Sequence, residues 1–180
     1  HIGIDVYNDD KAEKMIDKAY QYLDQELNSS YEYLIKNKKP LDSHQLDNGI
    51  IHYLYTRSYE QPELSSKLAP IYHYYINQEK QYWNKYNPYM QGMIALTLYR
   101  NGDKTTSKNI IESLRQHAIK SDELGLYWNN DKNNYYWYEA PIEQQAVLIE
   151  AFQTIDPRHD EIASMQTYLL KNKQTNKWHS

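Results

Sequence analysis

The sequence predicts an all-α protein built from helical hairpins, and two observations carry that prediction. Glycine and proline are scarce, at 5 and 6 of 180 residues, while helix-forming residues recur in long stretches. Residues 87–103 are also echoed 53 positions later by residues 140–156, each stretch holding a proline, Pro88 or Pro141, then an apolar run and a closing aspartate. Such a period accommodates two helices of about 15 residues and two short loops. We therefore expect an array of hairpins, each packed on its neighbours.

In the first half of the chain, the spacing of apolar residues by three and four positions predicts four helices. They are expected at residues 11–27, 30–38, 43–59 and 63–85. Pro40 ends the second, and Pro62 separates the third from the fourth. The first helix is expected to bury one stripe, made of Met15, Ile16, Ala19, Leu23 and Leu27.

In the second half, each of the two echoing stretches is expected to be a helix that is followed by a second helix. The second helices are predicted at residues 105–120 and 157–171. Asp103 and Asp156 stand where a side-chain oxygen caps the free amides of the next helix, and Pro157 suits a first helical position. The residues expected to face the core are Ile110, Ile111, Leu114, Ala118, Ile162, Met165 and Leu169.

One segment interrupts the helical pattern. Residues 122–140, DELGLYWNNDKNNYYWYEA, place aromatic residues on both sides of a polar run that is typical of a turn. We expect a short hairpin or an ordered loop inserted between two helical units. Its aromatic side chains either seal the array by packing or line a binding surface. The binding interpretation names Trp128, Trp137, Tyr138 and the nearby Glu143 as candidate residues.

Composition disfavours several classes of function. A net charge of −4 offers no long-range attraction for nucleic acid, and no apolar run reaches the roughly 18 residues of a membrane span. With no cysteine there is no disulfide, thiolate metal site or thiol nucleophile. Phosphate loops and hydrolase elbows are missing from the sequence too. His44, Asp47 and His52 could share a helix face, but this spacing is a weak metal signal, so we expect neither metal nor cofactor.

One pair of carboxylates in the sequence is compatible with catalysis, and it also has a structural explanation. Glu139 and Glu143 lie four residues apart beside Trp137 and Tyr138, and sugar cleavage uses two carboxyl groups near aromatic side chains. A glutamate at a helix start is also favoured by the backbone dipole without any catalytic role. A module that binds or cleaves polysaccharide is thus the alternative function, and a protein-interaction solenoid is a third.

Four strings resemble one known family. They are YMQGMIALTLYRNGD, DELGLYW, YWYEAPIEQQAVLIEAF and MQTYLLKNKQTNKW, and they are similar to the later part of the thioester-type helical domain of bacterial alpha-2-macroglobulin proteins. In that resemblance residues 142–150 match the start of an inner helix, and residues 169–178 match the end of an outer one. It implies an α/α toroid of the terpenoid cyclase-like kind, here as an incomplete ring.

The resemblance also implies a function and a setting. Residues 1–180 would be a single all-α domain, a fragment of a larger multidomain protein that entraps or inhibits proteases in the cell envelope, periplasmic or associated with the outer membrane. Its partners would be the remaining domains of that protein and the target proteases, with no nucleic acid and no direct membrane insertion. The chain begins at His1, so an export signal would lie outside it.

One departure from the family limits the expected chemistry. Members that trap proteases covalently carry a Cys-Gly-Glu-Gln thioester motif, and this sequence contains no cysteine. Glu143-Gln144 matches the last two letters of that motif only, so no reactive role is assigned to it. The sequence therefore predicts a non-catalytic segment without a thioester motif.

Overall fold

The computed structural model describes residues 10–60, 64–129 and 141–175, and most of them are helical. The α-helices are α1 (Asp10–Lys36), α2 (Asn48–Glu60), α3 (Leu68–Tyr82), α4 (Pro88–Arg100), α5 (Lys104–Gln116), α6 (Pro141–Ile155) and α7 (His159–Thr175). A 3-10 turn, Trp83–Lys85, follows α3, and two strands, β1 (Ile119–Ser121) and β2 (Gly125–Tyr127), follow α5. The all-α prediction is thereby confirmed at the level of fold class.

The chain divides into two compact units. The first comprises His1–Ser43 and Leu64–His73, and the second comprises His44–Glu63 and Tyr74–Ser180. Helix α3 contributes residues to both, with residues 68–73 in the first unit and the rest in the second. The second unit contains the repeated hairpins.

The first unit corrects the expectation of two helices at residues 11–27 and 30–38, because α1 runs through both ranges without a break. The serines at the expected boundary are accommodated inside the helix. Ser29 Oγ donates a hydrogen bond to the Gln25 carbonyl one turn earlier, at 2.8 Å. This local bond satisfies the hydroxyl without opening the backbone, so serine did not end the helix.

Helix α1 ends at a left-handed residue. Lys38 has φ of 51°, and the amides of Lys38 and Lys39 donate to the carbonyls of Ile35 and Leu34. This pattern is the Schellman closure of a helix C-terminus, here made without glycine. Pro40 follows it, as the sequence indicated.

The stripe predicted along α1 is only partly buried. Leu27 is 3% exposed, whereas Met15 and Ile16 are 64% and 49% exposed. The periodicity therefore identified the correct face of a helix, but it did not show how far along the helix the first unit covers that face.

In the second unit, α4 is the central helix. It packs against α2, α5 and α6, while α7 packs against α6, so that two consecutive hairpins, α4–α5 and α6–α7, lie side by side. Its buried residues are Met90, Gly92, Met93, Ile94, Ala95, Leu96, Thr97 and Leu98. This arrangement confirms that the 53-residue echo reflects two helical hairpins.

Glycine allows α4 and α6 to approach closely. A Cβ atom placed on Gly92 would lie 3.0 Å from Leu148 Cδ2 and 3.1 Å from Val147 Cγ1, both on α6. Contacts this short are tighter than usual, so an alanine here would require Leu148 and Val147 to shift by a few tenths of an ångström. Glycine permits the close approach of the two helices without that shift.

Capping residues explain where several helices begin. Asn87 accepts a bond from the Met90 amide at the start of α4, and Asp103 accepts one from the Thr106 amide at the start of α5, as predicted. Asp47 accepts from the Ile50 amide, so α2 begins at Asn48 and not near residue 43. Helix α7 begins at His159, two residues after the proline that was expected to open it.

The segment between the two helical hairpins begins with a short β-hairpin. Strands β1 and β2 pair antiparallel, with Ile119 opposite Tyr127, and the turn between them spans residues 122–124. The predicted turn in the polar run at residues 129–134 falls mostly outside the described residues. The described hairpin is therefore made by residues 119–127, and the hairpin or loop expected around residues 129–134 stays a prediction.

An ion-pair network joins the two hairpins. The Arg115 side chain on α5 is only 8% exposed and contacts three carboxylates, those of Glu112, Asp156 and Glu161, at 2.6 to 2.9 Å. Its guanidinium also lies 5.3 Å from the centre of the Phe152 ring. Arginine suits this position because its planar group donates in several directions at once. The aspartate predicted to cap α7 thus contributes to this network.

Candidate functional site

Three helices of the second unit contribute to one cluster of polar side chains. Tyr55 and Tyr59 come from α2, Arg100 is the last residue of α4, and Glu150 lies on α6. Tyr55 Oη donates to Glu150 Oε2 at 2.9 Å, Tyr59 Oη donates to Glu150 Oε1 at 2.6 Å, and Arg100 Nη2 lies 2.5 Å from Glu150 Oε1. We call these four residues the Glu150 cluster.

Local sequence explains why these groups meet. Tyr55 and Tyr59 are four residues apart and so lie on the same face of α2. Arg100 occupies the final position of α4, where the helix dipole favours a positive charge. Its guanidinium lies 3.8 Å from the centre of the Tyr59 ring and also donates to Ser58 Oγ at 3.1 Å. A cation over an aromatic ring adds roughly 0.5 to 2 kcal/mol.

The electrostatics of the Glu150 cluster favour a role in joining helices. Burial, followed by hydrogen bonds to Tyr59 and Glu150, raises the pKa of Tyr55, so this phenol stays protonated and acts as a donor. Both oxygens of Glu150 accept hydrogen bonds from the other members of the cluster. These three bonds, from Tyr55, Tyr59 and Arg100, join α2 and α4 to α6.

The second unusual carboxyl group is Glu79, on α3. Its side chain is fully buried, and neither of its oxygens has a hydrogen-bond partner among the described residues. Burial raises the pKa of Glu79 well above the ordinary value, so the group is held as a neutral acid. The pKa of the nearby Tyr86 is raised too, first by burial and then by the charge of Asp47.

Two of the four candidate binding residues lie within the described residues. Trp128 is 4% exposed, its indole nitrogen donates to the Leu114 carbonyl at 2.8 Å, and its ring meets Phe152 edge to face. This is the packing role that the sequence left open for the aromatic segment. Trp137 and Tyr138 lie outside the described residues, as does Glu139, the carboxylate paired with Glu143.

Glu143 is exposed in the first turn of α6, where the helix dipole favours an acidic side chain. Its charge, after burial, contributes to the raised pKa of Tyr89 on α4. The Tyr89 ring in turn lies 5.8 Å from the ring of His52 on α2. Glu143 therefore borders a half-buried aromatic surface, and the structure does not bring it near Trp128 through any described contact.

The residues adjacent to Glu143 have a clear structural role. Gln144 Nε2 donates to the Trp128 carbonyl at 3.2 Å, and Gln145 Nε2 donates to the carbonyls of Leu126 and Met165. Gln91, the counterpart of Gln144 in the earlier repeat, likewise donates to a carbonyl of the preceding segment, that of Tyr86. The repeated glutamine thus links each hairpin by a hydrogen bond to the segment that precedes it.

The residues considered as metal ligands, His44, Asp47 and His52, make other interactions. His44 Nε2 lies 2.7 Å from Tyr86 Oη, and its pKa is lowered by burial and then by the charge of Lys85. Burial also lowers the pKa of His52. Asp47 caps α2. Within the described ranges no group of three or more histidine, aspartate or glutamate side chains is placed to hold a metal ion.

The first unit carries an open groove of about 460 Å³. Its lining residues are Asn28, Tyr31, Glu32, Ile35, Lys36, Lys67, Pro70 and Ile71. Lys67 and Glu32 form a salt bridge across it at 3.2 Å, between side chains that are 72% and 61% exposed. Such an exposed ion pair contributes little to stability. The side chains that line the groove do not form a converging set of reactive groups.

Comparison of the chain with protein-family models, with curated proteins and with solved structures found no match. Among the helices that the structure describes, none is long and apolar enough to cross a membrane. Function must therefore be inferred from the geometry of these side chains.

No sequence pattern predicts the Glu150 cluster as a whole. Arg100 and Glu150 are 50 residues apart. The repeat period is 53 residues, so the two do not occupy equivalent positions in the two repeats. Only the i,i+4 pair of Tyr55 and Tyr59 was visible as a pattern. A hairpin array brings distant residues together through lateral packing, which a single sequence does not encode as a motif.

Proposed function

We propose that this chain is a non-catalytic helical segment of a larger bacterial alpha-2-macroglobulin-like protein of the cell envelope, where it helps to entrap or inhibit proteases. In this proposal α2, α4 and α6 are inner helices of an incomplete α/α toroid, and α5 and α7 are outer helices. The remaining domains of the same protein and the target proteases are its partners.

The observation that carries the proposal is the use of polar groups in the second unit. The Glu150 cluster ties α2, α4 and α6 together, and Arg115 ties α5 to Asp156 and to Glu161 on α7. Charged groups placed this way stiffen an array and leave little for chemistry. Together with the repeated hairpins and the family-like strings, they support a part that works by shape within a larger assembly.

The experiment uses the full-length protein that carries this segment, mixed with serine, cysteine and metalloproteases in turn. Steric entrapment is expected to suppress cleavage of a large protein substrate while cleavage of a small chromogenic peptide continues, because only the small substrate reaches an enclosed protease. A version carrying Gly125→Ala, which disturbs packing in the second unit, should protect the large substrate less.

Two outcomes contradict the proposal. If cleavage of both substrates is unaffected by the protein, no entrapment occurs. If both are suppressed equally, the protease active site is blocked directly, and a role by enclosure is wrong. The isolated chain should show no turnover of peptides or polysaccharides, and turnover that disappears in Glu143→Gln would replace this proposal with an enzymatic one.

Binding or cleavage of polysaccharide is the second candidate, and the exposure of Glu143 beside the half-buried Tyr89 is the observation that favours it. A glycan array distinguishes the two functions. Specific binding that is lost in both Trp137→Ala and Glu143→Gln would support the carbohydrate function, whereas a blank array would remove it.

A further inference from the structure

The chain contains two Asn-Gly pairs in the second unit, Asn48-Gly49 and Asn101-Gly102. In such a pair the glycine amide nitrogen can attack the asparagine side-chain carbonyl, because glycine has no Cβ to obstruct the approach. The attack needs a free side-chain amide and a free glycine amide that can reach each other. The two pairs differ strongly in how far hydrogen bonds engage their side-chain and glycine amides.

The Asn101-Gly102 pair is held at the end of α4. Asn101 Nδ2 donates to the Thr97 carbonyl at 2.9 Å, and the Gly102 amide donates to the Tyr99 carbonyl at 3.1 Å. Asp103, the next residue, caps α5 and forms a 2.7 Å salt bridge with Lys80. Both reacting groups are therefore engaged, and the neighbouring turn is anchored on its other side.

The Asn48-Gly49 pair is held much less firmly. Both residues are exposed, and the Asn48 side chain makes no hydrogen bond with the described residues. Gly49 lies in the first turn of α2, where amides have no intrahelical acceptor, and the Asp47 cap engages the Ile50 amide instead. First turns of helices also fray, so the backbone at Asn48 can rotate more readily than a residue inside a helix.

We propose that Asn48 is a site of spontaneous deamidation in the folded protein and that Asn101 is protected. The Gly49 nitrogen loses its proton to solvent base and bonds to Asn48 Cγ, and the side-chain nitrogen leaves as ammonia. The resulting cyclic imide is opened by water at either carbonyl, which gives aspartate or isoaspartate at position 48. No oxidant, reductant or enzyme is required.

The two products have opposite consequences for α2. Aspartate adds a negative charge in the first helical turn, where the helix dipole favours it. Isoaspartate inserts a methylene group into the backbone between the Asp47 cap and the helix, and this displaces the Ile50 amide from the carboxylate that accepts it. The isoaspartate product should therefore loosen the start of a helix that packs directly on α4.

The test incubates the folded chain at mildly alkaline pH and maps the conversion of amide to acid by peptide mass spectrometry, with separation of the isoaspartate form. Conversion at Asn48 should exceed that at Asn101 by about tenfold or more, because Asn101 reacts only after local opening. In denaturant both pairs should react at similar rates. Gly49→Ala should slow the reaction at position 48, and Asn48→Gln should abolish it.

The denatured control makes the result decisive. Equal conversion at the two sites in the folded chain would overturn the proposal. So would an unreacted Asn48 in the folded chain under conditions in which the denatured chain reacts, because the first turn of α2 would then be as protective as the end of α4.

Discussion

Replacement of Gly125 by alanine should destabilise the second unit by roughly 3 to 5 kcal/mol, which is a large part of the stability of a small domain. Gly125 opens β2 with φ of 80°, a conformation that alanine adopts only with strain. Its Cβ would also lie 2.1 Å from the Ser164 carbonyl oxygen on α7, too close for any backbone to tolerate. Chemical denaturation monitored by tryptophan fluorescence measures the loss.

Gly102→Ala is the matched control. Gly102 has φ of 90°, so its substitution carries a similar conformational strain, but nothing lies within 4 Å of the added Cβ. It should therefore cost only about 1 to 3 kcal/mol. Equal losses in the two variants would show that the contact between β2 and α7 contributes nothing, contrary to the packing described for the hairpin.

Glu79→Gln should stabilise the chain at neutral and alkaline pH and flatten its dependence on pH. In the folded protein Glu79 is buried with a raised pKa, whereas in the unfolded chain it ionises above its ordinary value of 4.5. Unfolding therefore releases a proton between those two pKa values, and the contribution of Glu79 to stability falls as pH rises through that window. The slope approaches about 1.4 kcal/mol per pH unit.

Subtracting the stability of Glu79→Gln from that of the native chain at each pH isolates this group. The Tyr86 phenol, whose pKa is raised above 10.0, stays protonated throughout and adds nothing to the difference. Glu143→Gln removes an exposed carboxylate and should leave the profile unchanged. A difference curve that is flat from acid to alkaline pH would mean that Glu79 is solvated or paired in the folded protein.

Much of the second unit followed from the sequence because its signals are local or periodic. The echo between residues 87–103 and 140–156 predicted the positions of α4 and α6. Asp103, as a capping residue, predicted the start of α5. Of the seven residues predicted to face the core, four are buried, namely Ile110, Ile111, Leu114 and Met165, whereas Ala118, Ile162 and Leu169 are only half-buried. These features depend on spacing along one helix, which a single sequence records directly.

The first half of the chain was predicted less well for a physical reason. The predicted break between residues 27 and 30 does not form, because the Ser29 hydroxyl bonds to its own helix and α1 continues. The exposed Met15 and Ile16 show that an apolar stripe reports the face available for packing and not the extent of packing achieved. Burial depends on the lengths of neighbouring elements, which periodicity does not reveal.

The candidate site was predicted least well, because its chemistry comes from lateral contacts. The aromatic segment drew attention to Trp128 and Glu143, whereas the strongest polar convergence among the described residues lies between Arg100 and Glu150. An arginine at a helix end and a glutamate on the next repeat are unremarkable in sequence. Only the packing of α4 on α6 makes them partners.

We infer that the polar groups of the second unit hold helices together and do not serve a ligand. A double-mutant cycle on stability with Arg100→Ala and Glu150→Ala tests it most directly. We expect each single variant to lose about 1 to 3 kcal/mol and the pair to show a coupling energy of roughly 1 to 3 kcal/mol, because removing one partner strands the other. If both variants keep or gain stability and the coupling is near zero, the Glu150 cluster is maintained for binding or catalysis, and the claim is wrong.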